Sequence, residues 1–193
     1  MESIDGVEIL AFADGAELEA WLADHHTLQS GVWLKIGKKN CPRAAVSYPA
    51  AVEAGLCFGW IDGQARSYDA DHYLQRFTPR RPRSVWSKVN VGRVETLIEA
   101  GRLREPGLAQ VRAAQADGRW DAAYESQKNA TVPPDLTAAL EGDSRARETF
   151  ERLDRSTRYR VLLRLMTART PEVRAARLER ALAVLASGRT QSL

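Results

Sequence analysis

CFGWIDGQARSYDADHYLQRFTPRRPRSVWSKVN, residues 57–90, is the stretch from which the rest of the chain is read. FGWIDGQARSY reads as an extended piece, and HYLQRFT alternates apolar and polar side chains, as a half-buried strand does. Two turn signals compete to join them. Asp62-Gly63 is a hairpin dipeptide, and Asp69-Ala70-Asp71 is a turn cluster. The second is preferred, because HYLQRFT then pairs with the residues before Asp69. Gly59 and Gly63 become points where backbone or ligand approaches closely. Pro79 and Pro82 end the second strand and stiffen the basic connector TPRRPRS. From Ser84 or Ser87 the period turns helical, with Val91, Val94, Leu97 and Ile98 on one face and Gly101 as the stop.

Upstream, VEILAF (7–12) reads as a strand, and Asp14 caps a helix with Glu17 completing a capping-box pattern. GVWLKIGKK (31–39) alternates as a second strand. Ser47 is a candidate N-cap, with Pro49 in the first turn of a short helix. Downstream, further helices follow Pro106, Asp135, Asp143, Ser156 and Thr170-Pro171-Glu172. The expected fold class is α+β: a small N-terminal α/β part with a short antiparallel sheet, then a helical C-terminal part. The expected domains are 1–83 and 84–193, with SQKNATVPP (126–134) as the linker candidate.

The 193 residues suit one large or two small domains, and 44% hydrophobic with 27% charged residues is ordinary for a globular protein. A net charge of +3 is too small for a dedicated nucleic-acid coat. Cys41 and Cys57 form no CxxC pair, and His25 and His26 are adjacent, so they point apart on a helix. No metal, cofactor or structural disulfide is expected. No run approaches the roughly 18 apolar residues of a membrane span.

Residues 57–90 concentrate guanidinium forks and aromatic faces. Arginine forks bind phosphate and carboxylate, and Trp or Tyr faces stack bases. Trp60, Asp62, Arg66, Tyr73, Gln75, Arg76, Arg80, Arg81, Arg83, Trp86 and Lys88 are the candidate ligand-binding residues. The competing reading makes Trp60 and Trp86 core anchors, with the arginines solvated or paired to Asp62, Asp69 and Asp71. Arg76 is expected to share a strand face with Leu74 and Thr78, opposite Tyr73, Gln75 and Phe77. Asp62 is the lone carboxylate inside the aromatic run, with His72 and Cys57 as its only near partners for catalysis. GKK (37–39) lacks the upstream glycine and following Ser/Thr of a phosphate loop. Arg174, Arg177 and Arg180 of the final helix are the next source of clustered charge.

GWIDGQ (59–64), YLQRFTPRRPRSVWSKVN (73–90), GRW (118–120), Ala123-Tyr124 and YRVLLRLMTART (159–170) occur in an order that resembles the bacteriocin-protection, YdeI/OmpD-associated family. The resemblance implies a role in resistance to antimicrobial peptides or in association with an outer-membrane porin. It brings no catalytic residues with it. The family label suggests a periplasmic setting, whereas MESIDGVEILAFADG has neither a basic n-region nor an apolar h-region, so a cytoplasmic protein is expected. Three functions remain in view. They are a non-enzymatic binding or bacteriocin-protection factor with a protein partner, a module for nucleic acid or another anionic ligand, and an enzyme centred on Asp62.

Overall fold

The computed structural model describes residues 2–39, 41 and 45–190. Two short strands open it, β1 (Ser3–Ile4) and β2 (Val7–Leu10). They pair antiparallel across a two-residue turn in which Asp5 and Gly6 both have positive φ, 53° and 76°. This is the Asp-Gly geometry that matches the twist of paired strands, and β1 lies outside the expected elements. Next comes α1 (Gly15–His25). The Asp14 carboxylate accepts from Glu17 N at 2.9 Å, and Glu17 accepts in return from Ala13 N at 2.6 Å. The helix carries the chain over to β3 (Val32–Gly37), which lies parallel to β2. After α2 (Tyr48–Cys57), β4 (Trp60–Ser67) and β5 (His72–Pro79) form a hairpin.

The strand order is β1-β2-β3-β5-β4. The β1–β2, β3–β5 and β4–β5 pairs are antiparallel and β2–β3 is parallel, so the sheet is mixed rather than wholly antiparallel, within the expected α+β class. The helical crossover of α1 is what makes the parallel pair available. The hairpin turns where expected. Asp69 accepts from the backbone N–H groups of Asp71 and His72 at 2.8 and 2.6 Å. Asp62-Gly63 instead marks a bulge: Asp62 faces Phe77 and Ala65 faces Gln75, so β4 carries one residue more than β5 across that interval.

Alternation then sorts the side chains. Trp60, Asp62, Tyr73, Gln75 and Phe77 share one face with Val32, Leu34 and Ile36. α2 packs there, and the Phe77 ring would lie 3.3 Å from a Cβ at Gly55. The other face carries Trp33, Leu74 and Ile9, with Ile4, Val7 and Tyr68 around them. Among the later helices, α3 spans Lys88–Glu99 and α4 Glu105–Ala116. α4 comes unusually close to α2. A Cβ at Gly107 would stand 2.5 Å from Cys57 O, and one at Gly59 would stand 2.9 Å from Pro106 O. Only residues without a side chain fit both positions.

The chain forms two compact units, Met1–Ser84 with Asn90–Asp121, and Val85–Val89 with Ala122–Leu193. The second is built from α5 (Pro134–Glu141), α6 (Ser144–Arg152), α7 (Arg155–Met166) and α8 (Pro171–Ser187). Its core is Leu136, Leu140, Phe150, Val161, Leu162, Leu165 and Leu185, with Ala146. Asp143, Asp154 and Thr170 cap α6, α7 and α8 through side-chain oxygens, and Gly188, at φ 70°, stops α8. No helix among the described residues is long and apolar enough to cross a membrane.

Candidate functional site

The residues singled out in 57–90 separate into distinct environments. Trp60 is 1% exposed; its indole N–H donates to His26 O at 2.8 Å, and its ring meets Trp21 edge-on at 6.1 Å. Trp86 is 2% exposed, and its carbonyl accepts from Tyr124 N at 2.9 Å. Gln75 is 5% exposed and turns its amide into the bulge, donating to Gly63 O at 2.7 Å. An extra residue in a strand leaves a carbonyl off the ladder, and Gln75 satisfies it. Arg80 is buried, with its backbone N–H on Gly59 O at 2.9 Å. Arg81 and Arg83 are exposed on the connector, where Arg81 N donates to Ser84 Oγ at 3.0 Å. Lys88 pairs with Glu125 at 2.6 Å.

Arg66 and Arg76 do converge. Both lie over the buried Trp33 ring, at 5.2 and 5.7 Å from its centroid, on the face opposite Phe77. The position of Arg76 follows the alternation expected for β5. Arg76 gives its donors to backbone: Val32 O at 2.9 Å, Phe77 O at 3.2 Å, and Ser30 O. Arg66 also reaches Asp5 at 3.6 Å. These stems shield an aromatic ring that the sheet leaves at its surface.

Asp62 and Tyr73 lie on the α2 face with Tyr48, which sequence reasoning did not connect to them. The Tyr48 hydroxyl donates to Asp62 at 2.8 Å. Burial, and then that bond to Asp62, holds the Tyr48 hydroxyl protonated well above its ordinary range. Burial and the Asp62 charge push Tyr73 in the same direction. Arg93, which acts electrostatically on Tyr48, donates to Asn90 Oδ1 at 3.1 Å. Cys57 sits in the α2 core, where burial first and then the Glu19 charge push its thiol up to about 11. His72 faces Cys41 instead, with Nε2 at 3.6 Å from Sγ.

A second cationic site lies on α7 and α8. A cavity of about 360 Å³ is lined by Arg164, Arg177 and Arg180 together with Val161, Thr167, Ala181 and Val184. Helical spacing puts residues 177, 180, 181 and 184 on one face of α8. Arg177 is held in place by bonds to Arg164 O at 2.6 Å and Thr167 Oγ1 at 3.2 Å. Arg174 does not join them. It grips Asp135 bidentately at 2.7 and 2.9 Å and donates to Leu165 O at 2.9 Å. The i, i+3 spacing of Arg177 and Arg180 was visible in the sequence; the contribution of Arg164 needed the packing of α7 on α8.

The fold and these sites place the chain among small α+β proteins in which a mixed sheet precedes a helical bundle. Through residues 10–110 it belongs to the family described as "Domain of unknown function (DUF8412)". Residues 129–188 match the family described as "Bacteriocin-protection, YdeI or OmpD-Associated". The resemblance read from the sequence is therefore shown, and it is carried by the helical tail with YRVLLRLMTART. The 57–90 stretch falls within the other family. No curated protein and no solved structure matches the chain.

Proposed function

We propose that the protein is a non-enzymatic binding factor whose α7–α8 groove takes a small anion with an apolar body. The three-arginine cavity carries this reading. Guanidinium groups bind phosphate and carboxylate in a defined plane, and Val161, Ala181 and Val184 give the ligand's carbon skeleton somewhere to sit. The volume lies at the lower end of the range for small-molecule sites. The whole groove falls inside the segment matching the bacteriocin-protection description. Within such a protective role, the chain would act by holding an anionic ligand. A stacking platform for single-stranded nucleic acid in 57–90 has less support, because the Trp60 and Trp86 rings are buried.

The test is calorimetric titration of the full chain with hexyl phosphate and with hexylammonium as the charge-reversed control. A ligand this small should bind with a Kd on the order of 1 mM. Arg180→Glu should weaken hexyl phosphate about tenfold or more through lost attraction and added repulsion. Equal affinity for the two probes, or no effect of Arg180→Glu, would remove the proposal.

A further inference from the structure

Outside the groove, the first unit places a thiol, an imidazole and a carboxylate in line. Gly37 at the end of β3 pairs across the sheet with His72 at the start of β5. The turn after β3 brings Cys41 back over this pair, its N–H donating to Lys38 O at 2.9 Å. Cys41 packs at ordinary contact distance over Gly37, where a Cβ would stand 3.7 Å from Sγ. Cys41 Sγ then lies 3.6 Å from His72 Nε2. The other ring nitrogen, Nδ1, is 3.2 Å from both oxygens of Asp69.

The proton positions follow from the partners. Burial raises the Asp69 carboxyl, but backbone bonds from His72 and Asp71 and the bond from the His72 ring outweigh it, so Asp69 is held below its ordinary range. An ionised carboxylate only accepts, so in the neutral ring Nδ1 carries the proton and Nε2 presents its lone pair to the thiol. The imidazole is thus oriented by a third group, which is the arrangement that activates a nucleophile. Among the described residues, Lys38 donates to Asp69 O and Ala70 O at 2.6 and 3.4 Å, and the Glu2 carboxylate acts electrostatically on Asp69. Cys41 and His72 are both half-buried, within reach of a small reagent.

We infer that Cys41 is a site of covalent modification by small electrophiles, with His72 as the base that takes the thiol proton and Asp69 as the group that positions His72. With iodoacetamide as the probe, Sγ attacks the methylene carbon, the C–S bond forms, the C–I bond breaks and iodide leaves. The thiol proton passes to His72 Nε2 and then to water. Cys57 is an internal control, buried in α2 on the same chain.

The experiment follows alkylation of the two cysteine-containing peptides in one tube by mass spectrometry, from pH 5 to 9. An unassisted thiol loses on the order of 200-fold in rate between pH 9 and pH 6. Cys41 in the wild-type chain should lose no more than about tenfold, because the proton has an acceptor at hand. His72→Gln should restore the steep loss, and Asp69→Asn should fall between the two. Cys57 should stay slow throughout. A wild-type Cys41 profile as steep as that of an unassisted thiol overturns the inference without any variant. So does a folded His72→Gln protein whose profile superimposes on the wild type. Neither outcome bears on the α7–α8 groove.

Discussion

The sheet unit and the helical unit satisfy their backbones in different ways, and the difference explains why the most conspicuous stretch of sequence spends its long polar side chains on its own backbone. A helix leaves orphan groups only at its ends. In the second unit Asp143, Asp154 and Thr170 sit at those ends, and the interior can be aliphatic: Leu136, Leu162, Leu165, Leu185. The first unit has a bulged hairpin and irregular strand ends, which leave carbonyls in mid-chain. Long polar side chains run to them: Gln75 to Gly63 O, Arg76 to Val32 O, Trp60 Nε1 to His26 O. Those are the residues that look like ligand contacts when read in a row. In the second unit such bonds gather near helix ends, where Arg177 donates to Arg164 O and Arg174 to Leu165 O, and Arg180 lines the groove beside them.

The largest test of this contrast is Leu165→Ala. Leu165 is 1% exposed, and its side chain belongs to the apolar core of the second unit. Removing its branched end should cost about 2–5 kcal/mol, measured by urea unfolding followed by far-ultraviolet circular dichroism. A loss under about 1 kcal/mol would show that the helical unit does not depend on close packing. Gln75→Leu comes next. It keeps the bulk but leaves Gly63 O without its donor, at a cost of about 1–3 kcal/mol. An unchanged melt would return Gln75 to the list of ligand contacts and break the comparison.

Much of the fold was legible because it rests on local chemistry. Asp14, Ser47, Asp143 and Thr170 announce helix starts, and each accepts the expected backbone bond. HYLQRFT alternates, so the opposition of Arg76 and Phe77 could be read directly. The Asp5-Gly6 turn between β1 and β2 rests on equally local chemistry. What could not be read depends on register and packing. Nothing local says that α1 crosses over to make β2 and β3 parallel. Asp62-Gly63 has the composition of a turn, and only the pairing of Ala65 with Gln75 shows it to be a bulge. The proximity of Cys41 to His72 needs β3 and β5 aligned with Gly37 opposite His72. The third arginine of the groove needs α7 laid on α8.

The smallest predicted effect concerns the one arginine that leaves the groove for the interior bond network. Asp135 and Arg174 tie the start of α5 to α8, with about a third of each side chain exposed. The bidentate bond from Arg174 is the main reason that the Asp135 carboxyl lies below its ordinary range, outweighing the burial that would raise it. A carboxyl whose pKa is lower folded than unfolded stabilises the fold above its unfolded value, about 3.9, and loses that contribution as pH falls through its folded value. Asp135→Asn should therefore be less stable than wild type at pH 7. The cost should be about 1 kcal/mol, solvent screening holding it near the value of an exposed pair. Thermal melts at pH 7, 5, 3 and 2 should show the two proteins converging only below pH 4, as wild type gives up the charged bond that the variant never had. A gap that stays constant down to pH 2 would mean that the asparagine disturbs α5 sterically, and that Arg174 is held by Leu165 O without help from the carboxylate.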